Sequence, residues 1–329
     1  ISIEIFNQLY ELPNLYPNAG AYKIGEVIKE PYFNLYHNRE VVCKLPVNVI
    51  TTDVKVKRES QKREKPSIPT QERVTIQNIK ETCLGVLNLP NNISKRYVYR
   101  FFDNAVRGDT VVYPGEADAV VVTPIEGCDA GLAVSMDSNL YGNLDPYSSG
   151  AFAVSEGVRN IIAVGAKPIA ITDCLNYGNP EKPNVFHDFE QGVQGISDAA
   201  NALSFISGEP IPVISGNVSF YNESKQGNAV VPSPVVLVLG HMEKYQQALR
   251  MQVSTRGQVL LLIGQRYAEY GGTQLQMYRS DINSQSPRPR LQEEANQNQM
   301  VYSLIQEGLV AACHDISTGG AWIALVEML

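Results

Sequence analysis

Short apolar runs, polar loops and an amphipathic helix alternate in the middle of the chain. Pro168–Thr172 is an apolar run that stops at Asp173, and Ile211–Ile214 is a second run that leads into the polar stretch Ser215–Glu223. Between them, Val185–Phe205 carries its large apolar side chains at helical spacing. This order predicts strand, helix and strand, with the two strands parallel and their polar ends at one edge of a sheet.

The same patterns predict further elements on both sides of this unit. A tight turn at His37-Asn38-Arg39 predicts a hairpin, and Ser148 or Ser149 is placed to cap a helix. Additional strands are predicted at Ala21–Val27, Tyr32–Tyr36, Glu40–Leu45, Thr110–Tyr113, Ala119–Thr123, Gly131–Asp137, Val230–Gly240, Gly257–Gly264 and Leu309–Cys313. Additional helices are predicted at Ile1–Leu12, Ile76–Val86, Gly150–Val164, Met300–Glu307 and Ala321–Leu329.

Two segments interrupt this alternation. Lys55–Glu72 is charged, contains prolines and has almost no large apolar side chains, so we expect a solvated linker. Ser280–Asn298 is a polar, proline-containing insertion that we expect to be mobile. After about Met242 the pattern indicates a second α/β domain, whose last predicted helix is still in progress at Leu329.

Composition restricts the class of protein. The 329 residues suffice for about two globular domains, and a net charge of −7 with a pI near 5.3 argues against nucleic acid or an anionic membrane as the main partner. No apolar run reaches the roughly 20 residues of a membrane span, and no signal-peptide pattern is present. Five scattered cysteines without a CxxC argue against a disulfide framework or a zinc site. We therefore expect a soluble, cytoplasmic protein.

The candidate chemistry lies at the two polar strand ends. Parallel pairing would make Asp173 and Asn217 neighbours, and a carboxylate beside an amide oxygen suits Mg²⁺, while Gly216 allows a phosphate to approach the backbone. The alternative is that these are ordinary turn residues, which the spacing alone favours. Asp118 has the same two alternatives: it is either a metal ligand or an ordinary turn aspartate.

Several stretches resemble phosphoribosylformylglycinamidine synthase, the ATP-dependent amidine-forming enzyme of purine biosynthesis, in its form without a fused glutaminase. The stretches TDCLNYGNPEKP, SGNVSFYNE and HDISTGG occur in the order of that family, at Thr172–Pro183, Ser215–Glu223 and His314–Gly320. Further stretches of the same kind are NREVVCKLPV, NISKRYVY and LDPYSSGAFAVSEGVRNI.

The resemblance implies an α/β (α+β) fold, the tandem two-domain synthetase fold of the aminoimidazole ribonucleotide synthetase type, of which this chain is an incomplete excerpt. Residues 1–55 would end the C-terminal domain of the first half, and residues 56–72 would be the linker. Residues 73–245 would form the N-terminal α/β domain of the second half, and residues 246–329 would begin its C-terminal domain.

The function implied is that of a carbon–nitrogen ligase, which converts formylglycinamide ribonucleotide to formylglycinamidine ribonucleotide with ATP, Mg²⁺ and ammonia from glutamine. At matching positions, Asp173 and Gly216 would contact ATP, Asn217 would ligate Mg²⁺ and Ser219 would contact the ribonucleotide. The implied partners are a glutaminase subunit that supplies ammonia and a small accessory subunit, with no nucleic acid and no membrane.

This chain departs from the family at the catalytic group. The catalytic histidines of the family belong to a first-half loop, and the corresponding loop here, Asp137–Tyr147, contains no histidine. We therefore expect no catalytic residue in this chain and no activity from the chain alone. The alternatives are a nucleotide-binding module without turnover and a small-molecule kinase of the same fold superfamily.

Overall fold

The structure is a computed structural model and describes residues 2, 5, 8, 22–52, 57–64, 74–205 and 208–329. The chain divides into two compact units, residues 1–57 and residues 58–329. The helix predicted at Ile1–Leu12 lies outside the described residues, apart from positions 2, 5 and 8.

The first unit contains a β-hairpin. Strands β1 (Tyr32–His37) and β2 (Glu40–Pro46) pair in antiparallel fashion, and α1 (Val47–Thr51) follows directly. The turn residues Asn38 and Arg39 have φ values of 48° and 71°, and two residues with positive φ match the twist of a hairpin. The predicted hairpin is confirmed. The strand predicted from Ala21 to Val27 is wrong over its described residues, which are exposed and unpaired with any described strand.

The second unit is built on a mixed six-stranded sheet. Its strand order is β3-β4-β5-β8-β6-β7, and β6 with β7 is the parallel pair among the described strands. The predicted parallel pairing of the two polar strands is therefore confirmed. The strands are β3 (Thr110–Val112), β4 (Val120–Val122), β5 (Gly131–Asp137), β6 (Lys167–Asn176), β7 (Val213–Ser219) and β8 (Ser233–Met242).

Two long helices of this unit pack together against one face of the sheet, α4 (Pro146–Ala163) and α5 (Pro183–Ala202). The remaining helices are α2 (Ile79–Leu87), α3 (Arg96–Tyr99), α6 (Gln274–Tyr278), α7 (Leu291–Gln306) and α8 (Gly320–Met328). None of the helices in the described ranges combines the length and the apolar character that a bilayer crossing needs. Helix α4 begins four residues before the predicted start, because Pro146 suits the first helical position, where no N–H donor is needed.

The C-terminal part of the unit departs from the predicted strands. Residues 257–264 and 309–313 form no strand, and Val259 and Leu261 are 80% and 75% exposed. An apolar run becomes a strand only when another strand takes its backbone hydrogen bonds, and no described strand lies beside these runs. Helix α7 starts at Leu291, so residues 291–298 of the predicted polar insertion are helical.

Helices α4 and α5 approach each other closely enough for backbone contact. A Cβ atom at Gly150 would overlap the carbonyl oxygen of Gly192, and one at Gly195 would overlap the carbonyl oxygen of Tyr147. All three glycines are buried. The contact brings α5 onto the core, which is formed by Val154, Val158, Ile161, Ile171, Ile196, Val236 and Val238, among others.

We predict that Gly195→Ala lowers the free energy of unfolding by about 2 kcal/mol or more, since the added methyl group has only backbone to displace. Urea denaturation of the purified variant measures this. Ser197→Ala is the matched control, because Ser197 is exposed on the same helix. Equal stability of the two variants would show that the helices are not in backbone contact.

Candidate functional site

The residues predicted to bind ligands lie inside strands β6 and β7, not in the turns after them. The apolar runs predicted strands ending at Thr172 and Ile214, whereas β6 continues to Asn176 and β7 to Ser219. Polar residues continue these strands because the ladder is made by the backbone and β7 is an edge strand with exposed side chains. The two polar strand ends do meet at one edge of the sheet, as predicted.

The strand register decides which of these side chains share a face. Asp173 is paired with Gly216 on one side and with Val236 on the other, and Val236 is fully buried in the core under α4 and α5. A Cβ atom at Gly216 would overlap Asp173 Oδ1, so the carboxylate lies over the glycine on this helix-covered face. Successive strand residues point to opposite faces, so Asn217 points to the other face of the sheet.

The expected convergence of the Asp173 and Asn217 oxygens is therefore wrong, and the site has two separate sides. Asn217 pairs with Cys174 and Ser219 pairs with Asn176, all on the face away from the long helices. The sequence could predict that parallel strands bring Asp173 and Asn217 close together. The face of the sheet to which each side chain points depends on the exact strand register. Both sides still lie at the carboxyl ends of parallel strands, the usual place for ligands in α/β sheets.

The Asp173 carboxylate is half-buried, and no hydrogen bond or ion pair to another described residue neutralises it. Burial raises its pKa above the ordinary value for aspartate. The carboxylate occupies the space that a side chain at Gly216 would take, and the Gly216 backbone is exposed on the edge strand. The pair provides a carboxylate oxygen donor next to exposed backbone at the sheet edge.

The loops that follow β6 and β7 are held to each other by Glu223. Its Oε1 accepts from Lys182 Nζ at 2.7 Å and from the backbone N–H of Asn179 at 3.2 Å. The Lys182 side chain lowers the pKa of the Glu223 carboxyl. Asn222 Nδ2 adds bonds to the backbone oxygens of Ser219 (2.9 Å) and Tyr177 (3.1 Å). The positions beyond both strand ends are thus fixed by side chains of the second loop.

A second cluster of charged groups joins α4 to the segment before α8. Arg159 donates to Glu294 Oε1 at 2.7 Å and to Asp315 Oδ2 at 3.3 Å. Asp118 Oδ2 accepts from the backbone N–H of Asp315 at 2.9 Å, and its other oxygen is 2.5 Å from His314 Nδ1. This cluster contains more acidic than basic groups.

Burial leaves two carboxyls of this cluster weakly acidic. Burial, with the Asp315 charge, raises the pKa of Glu156 to about 7. Burial also raises the pKa of Asp137 to about 6, although Ser135 and Asn160 donate hydrogen bonds to it. The charge of the Asp315 carboxylate also opposes the ionisation of both groups.

The donor set of this cluster fits a hard divalent cation. Asp118, His314 and Asp315 each offer a ligand atom within 4.8 Å of the others. Burial lowers the pKa of His314, but hydrogen bonds to Asp118 and Glu327 outweigh it and raise the pKa to about 10. The hard donors of this group are the carboxylate oxygens of Asp118 and Asp315. Asn160 Oδ1, on α4, is buried and has no partner among the described residues.

The sequence predicts only part of this second cluster. The sequence predicts Asp118 as a candidate metal ligand, and it gives His314–Gly320 a resemblance to the family but no role. Glu156 and Arg159 fall on the face of an amphipathic helix, where a charged residue ordinarily indicates solvent. The sequence signal for the burial of Glu156 and Arg159 is their position next to the apolar residues Val154 and Val158 of the same helix, which are buried.

The family models and a curated relative that match this chain point to the same protein family. Two family models match in tandem, "AIR synthase related protein, N-terminal domain" at residues 116–242 and "AIR synthase related protein, C-terminal domain" at residues 255–329. A curated relative, "Phosphoribosylformylglycinamidine synthase subunit PurL" of Methanothrix thermoacetophila, is 38% identical over 99% of this chain. The chain spans 43% of the length of that relative. The mixed sheet with its helices and the tandem matches confirm the predicted fold class.

Solved structures of PurL from Thermotoga maritima overlap part of the chain. "Structure of PurLQS from Thermotoga maritima" has a TM-score of 0.49 and 29% identity, covering 69% of this chain and 34% of that one. "T. maritima PurL complexed with FGAR" has a TM-score of 0.48 and 29% identity, covering 69% of this chain and 33% of that one. Overlaps at this level carry no argument about the site.

We predict that stability falls as pH rises through the titration of Glu156. The folded protein holds this proton up to about pH 7, whereas an unfolded glutamate releases it near 4.5, so the folded state binds more protons between these values. The free energy of unfolding therefore decreases with rising pH, by about 3 kcal/mol from this group. Urea denaturation from pH 5 to 8 with EDTA measures the loss.

Glu156→Gln should remove this part of the slope, and the exposed Glu307→Gln should not. A wild-type slope equal to that of Glu156→Gln would contradict the assigned burial.

Proposed function

The chain belongs to the phosphoribosylformylglycinamidine synthases of the PurL type among the AIR synthase-related proteins, and we propose that it forms part of an ATP-dependent carbon–nitrogen ligase of purine biosynthesis. ATP phosphorylates the amide oxygen of formylglycinamide ribonucleotide, and ammonia from glutamine then displaces phosphate to give the amidine. The work of the protein in such a step is to position the reactants and to neutralise charge. The observation that carries the proposal is the Asp173–Gly216 pair at the joined ends of β6 and β7.

Asp173 and Gly216 are assigned to ATP. A phosphate can approach the exposed Gly216 backbone at the sheet edge, but the adjacent Asp173 carboxylate, which no described residue neutralises, repels a polyphosphate. A divalent cation between them removes that repulsion, which supports Mg²⁺ as the companion of the nucleotide. Lys182 does not take this role while it is paired with Glu223.

Asn217 and Ser219 are assigned to the other side of the site. Asn217 offers an exposed amide oxygen for Mg²⁺, and Ser219 offers a hydroxyl for the ribonucleotide. A ligand that caps the strand ends can reach both faces, because β7 is the edge strand. The group of Asp118, His314 and Asp315 is a second position at which Mg²⁺ would be held.

The remaining assignments concern the domains, the catalytic group, the protein partners and the compartment. We assign residues 1–55 to the end of a first-half domain, residues 73–245 to the second-half N-terminal domain and residues 246–329 to the start of its partner. Residues 56–72 are the connecting segment, of which residues 58–64 contact α5. The histidine that acts in catalysis belongs to another part of the enzyme. A glutaminase subunit and a small accessory subunit are the expected protein partners, and the cytoplasm is the expected compartment.

We predict ADP release by the full-length protein with formylglycinamide ribonucleotide, ammonia and Mg·ATP, and none by this chain alone. A coupled ADP assay measures both. Nucleotide binding without any turnover by the full-length protein would favour the non-catalytic module. ADP release that depends on a different acceptor would favour the small-molecule kinase.

We predict that Asp173→Asn and Asn217→Ala separate the two sides of the site. Asp173→Asn should weaken Mg·ATP binding about tenfold in titration calorimetry, because the carboxylate that holds the cation is lost. Asn217→Ala should raise the Mg²⁺ concentration needed for half-maximal activity. Asp198→Asn and Asn201→Ala on α5 are the matched controls. Unchanged ATP affinity and an unchanged Mg²⁺ titration would return these residues to a purely structural role.

A further inference from the structure

Residues 58–64, which precede the sheet in sequence, lie along the first turns of α5, and we call them the strap. The backbone N–H of Gln61 donates to the carbonyl oxygen of Pro183 at 3.1 Å. Ser60 Oγ lies 3.2 Å from His187 Nδ1, although the two residues are 127 positions apart in sequence. The strap belongs to the same compact unit as α5. It was predicted to be a solvated linker, and these contacts correct that expectation for its described residues.

The strap is fastened by one ion pair with a buried partner. Arg63 Nε donates to Asp188 Oδ2 at 2.6 Å, and the Asp188 side chain is only 6% exposed whereas that of Arg63 is 40% exposed. A buried carboxylate needs a partner far more than an exposed guanidinium does, since the cost of burial falls on the charge that has left water. Arg63 therefore supplies the neutralisation on which the buried position of Asp188 depends.

Helix α5 transmits this anchoring to both strand ends of the candidate site. Phe189, next to Asp188, contacts Tyr177 edge to face with ring centroids 5.3 Å apart, and it contacts Phe220 in the same manner at 5.0 Å. Tyr177 directly follows β6 and Phe220 directly follows β7. One ring on α5 thus fixes the residues that leave both site strands.

The hydroxyl of Tyr177 connects Asp188 to the site electrostatically. It is buried against Gly192, with no hydrogen-bond partner among the described residues. Burial raises the pKa of Tyr177, and the carboxylates of Asp188 and Asp173 raise it further. The charge that Arg63 neutralises therefore acts on the same group as the charge of Asp173.

We propose that Arg63 is a positioning residue for nucleotide binding: it neutralises Asp188 and holds α5 where Phe189 fixes the ends of β6 and β7. This inference rests on the proposed function for the identity of the ligand. Arg63 itself touches neither the strands nor the candidate ligand positions. It acts through α5, and its effect belongs to the binding of Mg·ATP rather than to the chemical step.

The test compares Arg63→Gln with Lys62→Gln in the full-length protein. Lys62→Gln removes the same charge from an exposed position of the strap and is the matched control. Calorimetry with Mg²⁺ and a non-hydrolysable ATP analogue should show affinity about tenfold weaker for Arg63→Gln and unchanged for Lys62→Gln. In steady-state assays the KM for ATP should rise with kcat unchanged, and Arg63→Lys should recover part of the affinity.

A double variant separates positioning from general damage. In Arg63→Gln with Asp188→Asn, the buried charge that lost its partner is gone, so the affinity should recover toward that of Asp188→Asn alone. Losses that simply add would overturn the proposal. A fall in Tm of Arg63→Gln without any change in nucleotide affinity would do the same.

Amide hydrogen exchange without nucleotide tests the inference independently of the proposed function. Arg63→Gln should exchange faster than Lys62→Gln at residues 177–182 and 220–223, the loops after both strands. Equal exchange in these loops would overturn the positioning role. A wild-type protein that shows no affinity for the ATP analogue, with faster loop exchange in Arg63→Gln, would refute the proposed function and restrict Arg63 to ordering these loops.

Discussion

The parallel pairing of β6 with β7 is the constraint on which the rest of this unit depends. Two parallel neighbours cannot be joined by a tight turn, so the chain must cross back over the sheet, and it does so through α5. That crossover requires α5 to lie beside α4, which the glycines at their contact make possible. It also brings both carboxyl ends to one edge, where Asp173 lies over Gly216.

The order of elements in the sheet unit was predictable because its apolar periodicity is strong, and β5 has the predicted bounds. Sequence could not give the face of Asn217, since a one-residue change in register reverses every side chain of a strand. It also misassigned Val259–Leu262, because an apolar run carries no information about whether a neighbouring strand is present. The cluster around Arg159 joins positions more than 130 residues apart, and no local pattern records such a contact.

The carboxyl groups of the candidate sites outnumber the positive charges beside them, and a bound cation would compensate the excess negative charge. Asp173 is half-buried with no partner in the part of the chain that the structure describes, and the carboxyls of Asp137 and Glu156 are buried beside the Arg159 ion pairs. An excess of buried carboxylates weakens the folded protein at neutral pH, and a cation relieves that repulsion. Such a binding site lowers the free energy of unfolding of the protein when no ligand is bound, as active sites usually do.

The Arg63–Asp188 pair changes where the sheet unit begins. Apolar periodicity resumes at Val74, so a boundary drawn from composition alone would discard residues 58–64 as connecting chain. A truncation at that point would keep the whole sheet and both long helices, yet it would leave the Asp188 carboxylate inside the protein without its guanidinium. Recombinant versions of this unit, and chimaeras that exchange it between relatives, therefore have their natural N-terminal limit at Arg58.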